Sequence, residues 1–232
     1  MNMIFSADDN WGIGKGNRLL YRIPPDMRNF KEKTTNGVVI MGRKTFESLP
    51  GGKPLTNRTN IVLTCHPESL SAAIRVERIF TQRGIPTHAA CVDESMHDLA
   101  ALDSPPAETG VLEQVMSGDM LLICTSQTDL FTTLRDIGSE PEKTWVIGGA
   151  EIIALLAPYC MEAFVTRIQA ADREADCRAI CLDTEIGWAK VETGKLQEWE
   201  GLRYRFDRYR NQNVKSVAIY QAAAPRSRSV SD

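Results

Sequence analysis

The sequence predicts an α/β fold, and three observations predict it. Apolar runs of strand length alternate with amphipathic stretches of helix length along most of the chain. Twice a strand-like run ends in glycine just where helix-forming residues begin, at Gly42 and at Gly148-Gly149. The 232 residues, 43% of them hydrophobic and 25% charged, suit a globular protein of one large domain or two small ones.

The elements follow in order. Residues 3–7 read as a strand, and residues 8–24 as a long loop carrying Gly12, Gly14 and Gly16. Residues 25–34 read as a helix, with Met27, Phe30 and the stem of Lys31 on one face and Pro25 suited to the first helical position. Residues 37–41 form a short buried strand, and residues 43–49 a short helix ended by Pro50-Gly51-Gly52. Strands are expected at 60–64 and 120–124, and Thr125-Ser126 can cap a helix reaching about residue 137. A strand at 144–148, a helix at 150–156 stopped near Pro158, and strands at 163–169, 202–209 and 214–220 complete the pattern. Residues 66–118 break it: they hold Pro67, Pro86, Pro105 and Pro106, show weak periodicity, and read as a partly ordered surface insertion. Residues 222–232 read as a disordered tail. The expectation is one domain, 1–221, interrupted at 66–118, with no internal repeat.

Composition narrows the function classes. A formal net charge of −3 gives no reason to expect nucleic acid as a partner. No apolar run approaches the roughly 20 residues that cross a bilayer, and the first residues lack a signal-peptide pattern, so a cytoplasmic location is expected. Cysteines at 65, 91, 124, 160, 177 and 181 form no Cys-x-x-Cys pair and read as reduced thiols. A zinc site from His88, Cys91 and His97 matches no common ligand spacing, so no metal is expected. The three histidines, His66, His88 and His97, are confined to residues 66–97, and no nucleophile–base set has supporting context.

Four places carry possible chemistry. Asp26 follows Pro24-Pro25 and sits beside the apolar Met27 and Phe30. A carboxylate in an apolar cleft can hold an amidine-like edge with its two oxygens, and desolvation raises its pKa. The plain alternative is an acid that complements a helix dipole. Gly42-Arg43-Lys44-Thr45 joins a strand end to a helix start with two cations and a hydroxyl, which suits phosphate or is an ordinary solvated turn. Val146-Ile147-Gly148-Gly149 repeats that logic without a G-x-G-x-x-G fingerprint, and Glu151 is adverse to phosphate. Arg58, after Leu55-Thr56-Asn57, could clamp a carboxylate or be a solvated loop arginine.

In their order, these pieces resemble the dihydrofolate reductase family, of the bacterial type with aspartate at the acid position. The resemblance rests on Gly12-Ile13-Gly14-Lys15-Gly16-Asn17, Ile23-Pro24-Pro25-Asp26-Met27, Phe30-Lys31 and the run from Val39 to Leu49. It continues through Leu55, Arg58 to Leu63, Val146-Ile147-Gly148-Gly149 and Phe164-Val165-Thr166. It covers 3–65 strongly and 119–210 moderately, but neither 66–118 nor the tail. It implies a three-layer α/β fold, a mostly parallel eight-stranded mixed sheet flanked by helices. It implies reduction of 7,8-dihydrofolate to 5,6,7,8-tetrahydrofolate with NADPH, by hydride transfer to C6 and protonation of N5, in support of thymidylate, purine and one-carbon metabolism. Dihydrofolate and antifolates would be its ligands, and the protein would be a monomer.

The resemblance also assigns residues. Asp26, Thr166 and Tyr21 are the implied catalytic set, with Tyr21 where the family has a water-ordering tryptophan. Ile4, Phe5, Met27, Phe30, Leu49 and Leu55 would surround substrate, and Arg58 would hold the glutamate-tail carboxylate. Ser6, Ile13, Gly14 and Leu19 would border the nicotinamide. Gly42, Arg43, Lys44 and Thr45 would bind cofactor phosphates, with Arg43 and Thr64 near the 2′-phosphate. Gly148 and Gly149, joined by a cis peptide, would approach the pyrophosphate, and Leu63, Ile147, Ala150, Glu151 and Ile152 complete the cofactor set. The chain departs from the family at Leu19-Leu20-Tyr21, Cys65, Ile153 and Ala175-Asp176-Cys177. Three other readings stay open: a pyrimidine reductase of riboflavin synthesis, a ligand- or RNA-binding protein without turnover, and a docking role for 66–118.

Overall fold

The computed structural model describes residues 1–73 and 120–216. Strand β1 (Asn2–Ala7) is followed by two short strands, β2 (Gly12–Lys15) and β3 (Arg18–Leu19). Helix α1 (Pro24–Thr34), strand β4 (Val38–Gly42), helix α2 (Arg43–Glu47), strand β5 (Thr59–Leu63) and helix α3 (Pro67–Ala73) complete the first stretch. The second stretch runs β6 (Met120–Cys124), α4 (Gln127–Asp136), β7 (Thr144–Gly148), α5 (Ala150–Leu156) and β8 (Glu162–Ile168). It ends with β9 (Cys177–Arg178), β10 (Trp188–Thr193), β11 (Gln197–Trp199) and β12 (Leu202–Asn211).

Eight strands lie side by side in the order β10-β12-β8-β1-β7-β4-β5-β6, and β11 adds a short pairing to β12. From β8 to β6 every pairing is parallel, and β12 is antiparallel to both its neighbours on the path. Parallel strands buried on both faces should be continuously apolar, and Val38-Val39-Ile40-Met41 and Ile61-Val62-Leu63 are. Side chains alternate between faces, which divides the interior in two. One face packs Phe5, Ile40, Ile61, Leu122 and Val146 against Leu130 and Leu134 of α4 and Ile153 and Leu156 of α5. The other packs Ile4, Val39, Met41, Val62, Leu121 and Trp145 with Phe30 of α1, Phe46 of α2 and Leu70 of α3. The result is the expected three-layer, mostly parallel mixed sheet.

Helix α4 begins where its cap predicts. The Ser126 side chain accepts a hydrogen bond from the Asp129 backbone N–H at 3.1 Å, satisfying a donor the helix cannot use. Ser126→Ala is expected to cost about 1 kcal/mol. A urea unfolding curve would show a lower midpoint with unchanged slope; an unmoved midpoint would contradict the capping role.

The structure corrects several expectations. Residues 8–24 are not a plain loop: Gly16 and Asn17, both with positive φ, form a two-residue turn pairing Lys15 with Arg18. Pro24, not Pro25, takes the first position of α1. Residues 67–73 are helical, and Leu70 is in the core, so the start of 66–118 belongs to the fold. Residues 74–118, with His88, Cys91 and His97, lie outside the described residues, as does 222–232. Val214–Ser216 show no strand, and the rest of that expected strand lies outside the described residues. Strands β9, β10 and β11 escape sequence patterning because they are short or largely exposed. Among the described residues no helix is long and apolar enough to cross a membrane.

Candidate active site

Asp26 and Thr166 stand 140 residues apart in the chain and meet in the fold. The Thr166 hydroxyl donates to Asp26 Oδ1 at 2.6 Å, and both residues are buried. Pro24 and Pro25 fill the first two helical positions, where the missing N–H groups leave nothing unsatisfied. Ile23 lacks a capping side chain, but it is buried with Ile168 and Tyr204, which pins the helix start against β8 and β12. Asp26 therefore occupies the first turn of α1, above the sheet. That position is the one at which an acid complements the helix dipole, and Asp26 is in addition buried. Burial pushes its carboxyl above the ordinary aspartate value, and the Thr166 hydroxyl pulls part of the way back.

That opposition is testable. Thr166→Val removes the group that favours the charged form, so Asp26 should titrate at higher pH. Carbon NMR of the Asp26 carboxyl would follow it, and an unmoved or lowered midpoint would refute the coupling.

The same helix borders an apolar cluster through Phe30, one turn on from Asp26. Ile4, Phe30, Leu49 and Leu55 belong to one cluster, and Met27 is half-buried on α1. Phe5 does not join them. As the neighbour of Ile4 on a strand it faces the opposite side, where it packs against Trp11 with ring centres 6.5 Å apart. Ser6 is the register partner of Thr166, on the Ile4 face.

Arg58 is buried, which removes the solvated reading. Its Nε donates to Thr34 Oγ1 at 2.9 Å, and its Nη1 donates to the Thr56 carbonyl at 2.7 Å. Nη2 reaches the Lys31 carbonyl and Thr35 Oγ1 at 3.4 Å, and the guanidinium lies 5.8 Å from the Phe30 ring centre. Asn60 fixes the loop that carries it: its side chain accepts from the Leu55 N–H and donates to the Leu55 and Arg58 carbonyls. The cation is thus seated at the carboxyl end of α1, where the helix dipole favours it.

A second site lies where β4 and β7, parallel neighbours, end side by side. The Gly148–Gly149 peptide is cis, and Gly148 has φ 143. A Cβ at either glycine would come within 3.3 Å of Thr45 Oγ1, and one at Gly42 within 3.0 Å of Ile152 Cγ1. Two glycine turns and a hydroxyl therefore converge, too closely for a side chain to be added at either turn without a neighbour moving. Arg43 Nη1 donates to Glu47 Oε1 at 2.7 Å, and Lys44 is exposed. Leu63 is buried at the end of β5, and Thr64 Oγ1 accepts from the His66 N–H. Ile147 packs in the Ile4-side core, Ala150 is half-buried and Glu151 is exposed.

The remaining candidates are more scattered. Tyr21 packs with Ile23, Ile168 and Tyr204. Burial raises its pKa, and the charges of Asp8, Asp172 and Asp9 act the same way, so it is a neutral phenol. Among the described residues it makes no hydrogen bond to Asp26. Ile13 packs on the Phe5-side core, Gly14 is in β2, and Leu19 is 55% exposed on β3. Asp8 was not foreseen. Its fully buried carboxylate accepts from the N–H groups of Asn10, Gly12 and Asp172, which ties the β1–β2 loop to the segment after β8. The signal for it was an aspartate just ahead of a glycine turn. The cysteines among the described residues are free, and burial pushes the Cys124 and Cys160 thiols up to about 12, so neither is a nucleophile at neutral pH.

A mostly parallel sheet with its glycine turns at the carboxyl ends of the strands, and a buried acid under a flanking helix, defines a class: α/β enzymes acting on small molecules. The family model for dihydrofolate reductase matches residues 1–88. The chain is 31% identical to the dihydrofolate reductase of Bacillus subtilis, over 92% of this chain and 95% of that one. It is 28% identical to that of Mycobacterium tuberculosis, over 90% and 96% respectively. In fold it is similar to a dihydrofolate reductase from Enterococcus faecalis complexed with NADP(H) and RAB-propyl, with a TM-score of 0.58, 23% identity and coverage of 90% and 95%. The chain belongs to the dihydrofolate reductase family.

Proposed function

We propose that this protein reduces 7,8-dihydrofolate to 5,6,7,8-tetrahydrofolate at the expense of NADPH, supporting one-carbon metabolism. The observation that carries this reading is the buried Asp26 carboxylate, held by Thr166 at 2.6 Å in the first turn of the helix whose Phe30 joins the apolar cluster of Ile4, Leu49 and Leu55. It is a buried charged acceptor, which suits the amidine-like edge of a pterin: one oxygen faces the ring N3–H and the other the 2-amino group. Burial raises its pKa, which eases transfer of a proton from the Asp26 carboxyl through water to pterin N5. Arg58, oriented by Thr34 and the Lys31 carbonyl, would take the α-carboxylate of the glutamate tail.

The second site fits a dinucleotide. The space a Cβ would fill at Gly148 and Gly149, next to the Thr45 hydroxyl, is where a pyrophosphate would lie. When bound there, NADPH supplies the hydride that the pterin accepts at C6. The protein's part is to hold the two rings in contact and exclude water around them, which lowers the entropic barrier.

The test is NADPH oxidation by purified protein with and without dihydrofolate, followed by absorbance. Dihydrofolate-dependent oxidation is the expected result. Its absence, with dihydrofolate still bound, would overturn turnover and leave a binding role, with Tyr21 and Ile153 the departures to revert first.

A further inference from the structure

We propose that Glu47 sets how strongly this protein prefers a cofactor carrying an extra phosphate, by partly neutralising Arg43. The inference rests on the reading above that Arg43 faces the cofactor. Arg43 and Glu47 are the first and last residues of α2, so they lie one turn apart on the same side. The carboxylate accepts from Arg43 Nη1 at 2.7 Å, and the two side chains are 31% and 23% exposed. The register of β4 with β5 pairs Gly42 with Leu63, so Arg43 and Thr64, the next residues on, share one edge of the sheet. A phosphate on the adenosine ribose would meet a guanidinium that already holds an anion.

Glu47 has two opposing effects. It holds the guanidinium in one orientation, and its own charge repels a phosphate dianion placed beside Arg43. The ordering effect of a partly exposed i,i+4 pair is small. The repulsion is larger, because Glu47 already sits 2.7 Å from the Arg43 guanidinium, so a phosphate on that same group would set about two charges against one across roughly 5 Å, inside the screening length of roughly 8 Å. Repulsion therefore wins. Glu47 weakens the grip on NADPH relative to NADH, and Arg43 without it would discriminate more sharply.

Glu47→Gln tests this, since glutamine can still accept from Arg43 but carries no charge. Dissociation constants for NADPH and NADH would be measured by fluorescence titration, for the wild-type protein and for Glu47→Gln and Glu47→Ala. The expected result is NADPH binding roughly three- to tenfold tighter in Glu47→Gln, with NADH changed less than twofold. The gain should shrink in about 0.5 M salt, where screening shortens the reach of charge. Glu47→Ala should shift in the same direction, and retained NADH binding reports that each variant is folded. Unchanged or weaker NADPH binding in Glu47→Gln would overturn the proposal and make Glu47 a positioning residue. Failure of the wild-type protein to bind either dinucleotide would overturn the cofactor reading, and this inference with it.

Discussion

Asp26→Asn is expected to lower dihydrofolate turnover by roughly two to four orders of magnitude, while NADPH binding stays within a few-fold of wild type. Asparagine fits the same space and can still accept from the Thr166 hydroxyl. What it loses is the charge and the proton. Stability should move the other way. The Asp26 carboxyl is raised in the folded state by burial, so its contribution is fully present below the unfolded aspartate value of about 3.9. That contribution is lost as pH rises through the folded value, and at neutral pH the buried charge opposes folding. The variant should therefore melt higher than wild type at pH 7, with the difference fading on acidification. Turnover and melting curves at two pH values would check both halves. Equal loss of substrate and NADPH binding would sink the role given to Asp26.

Arg58→Leu should raise the dihydrofolate KM by about 10- to 100-fold, the weight of charge-assisted hydrogen bonds to a carboxylate. The effect should be specific to ligands with a glutamate tail. A diaminopyrimidine inhibitor without one should bind the variant nearly as well as wild type. If that inhibitor weakened to the same degree, the carboxylate clamp would be wrong and Arg58 would be a structural residue holding α1. Its hydrogen bonds to Thr34, Thr35 and the Lys31 carbonyl make that alternative concrete.

What the sequence revealed follows from where information is local. The central strands could be read because burial on both faces demands unbroken apolar runs, as in Val38-Val39-Ile40-Met41. Strand β10 could not, because an edge strand with Lys190 and Glu192 carries the polarity of a loop. The Gly16–Asn17 turn is visible as a dipeptide but reads as loop, since nothing around it shows an alternating pattern. The meeting of Asp26 and Thr166 came from family resemblance and not from periodicity, which says nothing about partners 140 residues apart. The seat of Arg58 was hidden for the same reason. Thr34 and Asn60 are unremarkable in sequence and gain meaning only once β5 is laid beside α1. The separation of Ile4 from Phe5 was legible from strand alternation alone, yet the resemblance grouped them.

Helix α1 has a metric consequence. Its first turn carries the acid and its last turn seats the arginine, so one rigid element sets the spacing between the two polar anchors. Asp26 and Thr34 are eight residues apart, about 12 Å along a helix. With both groups holding substrate as proposed, the protein would measure its ligands lengthwise. A molecule must span that interval to engage both ends, and shorter ones are gripped at the head only. Resistance to short inhibitors and tolerance of the natural substrate could then arise from changes at opposite ends of a single helix, each with little cost to the other.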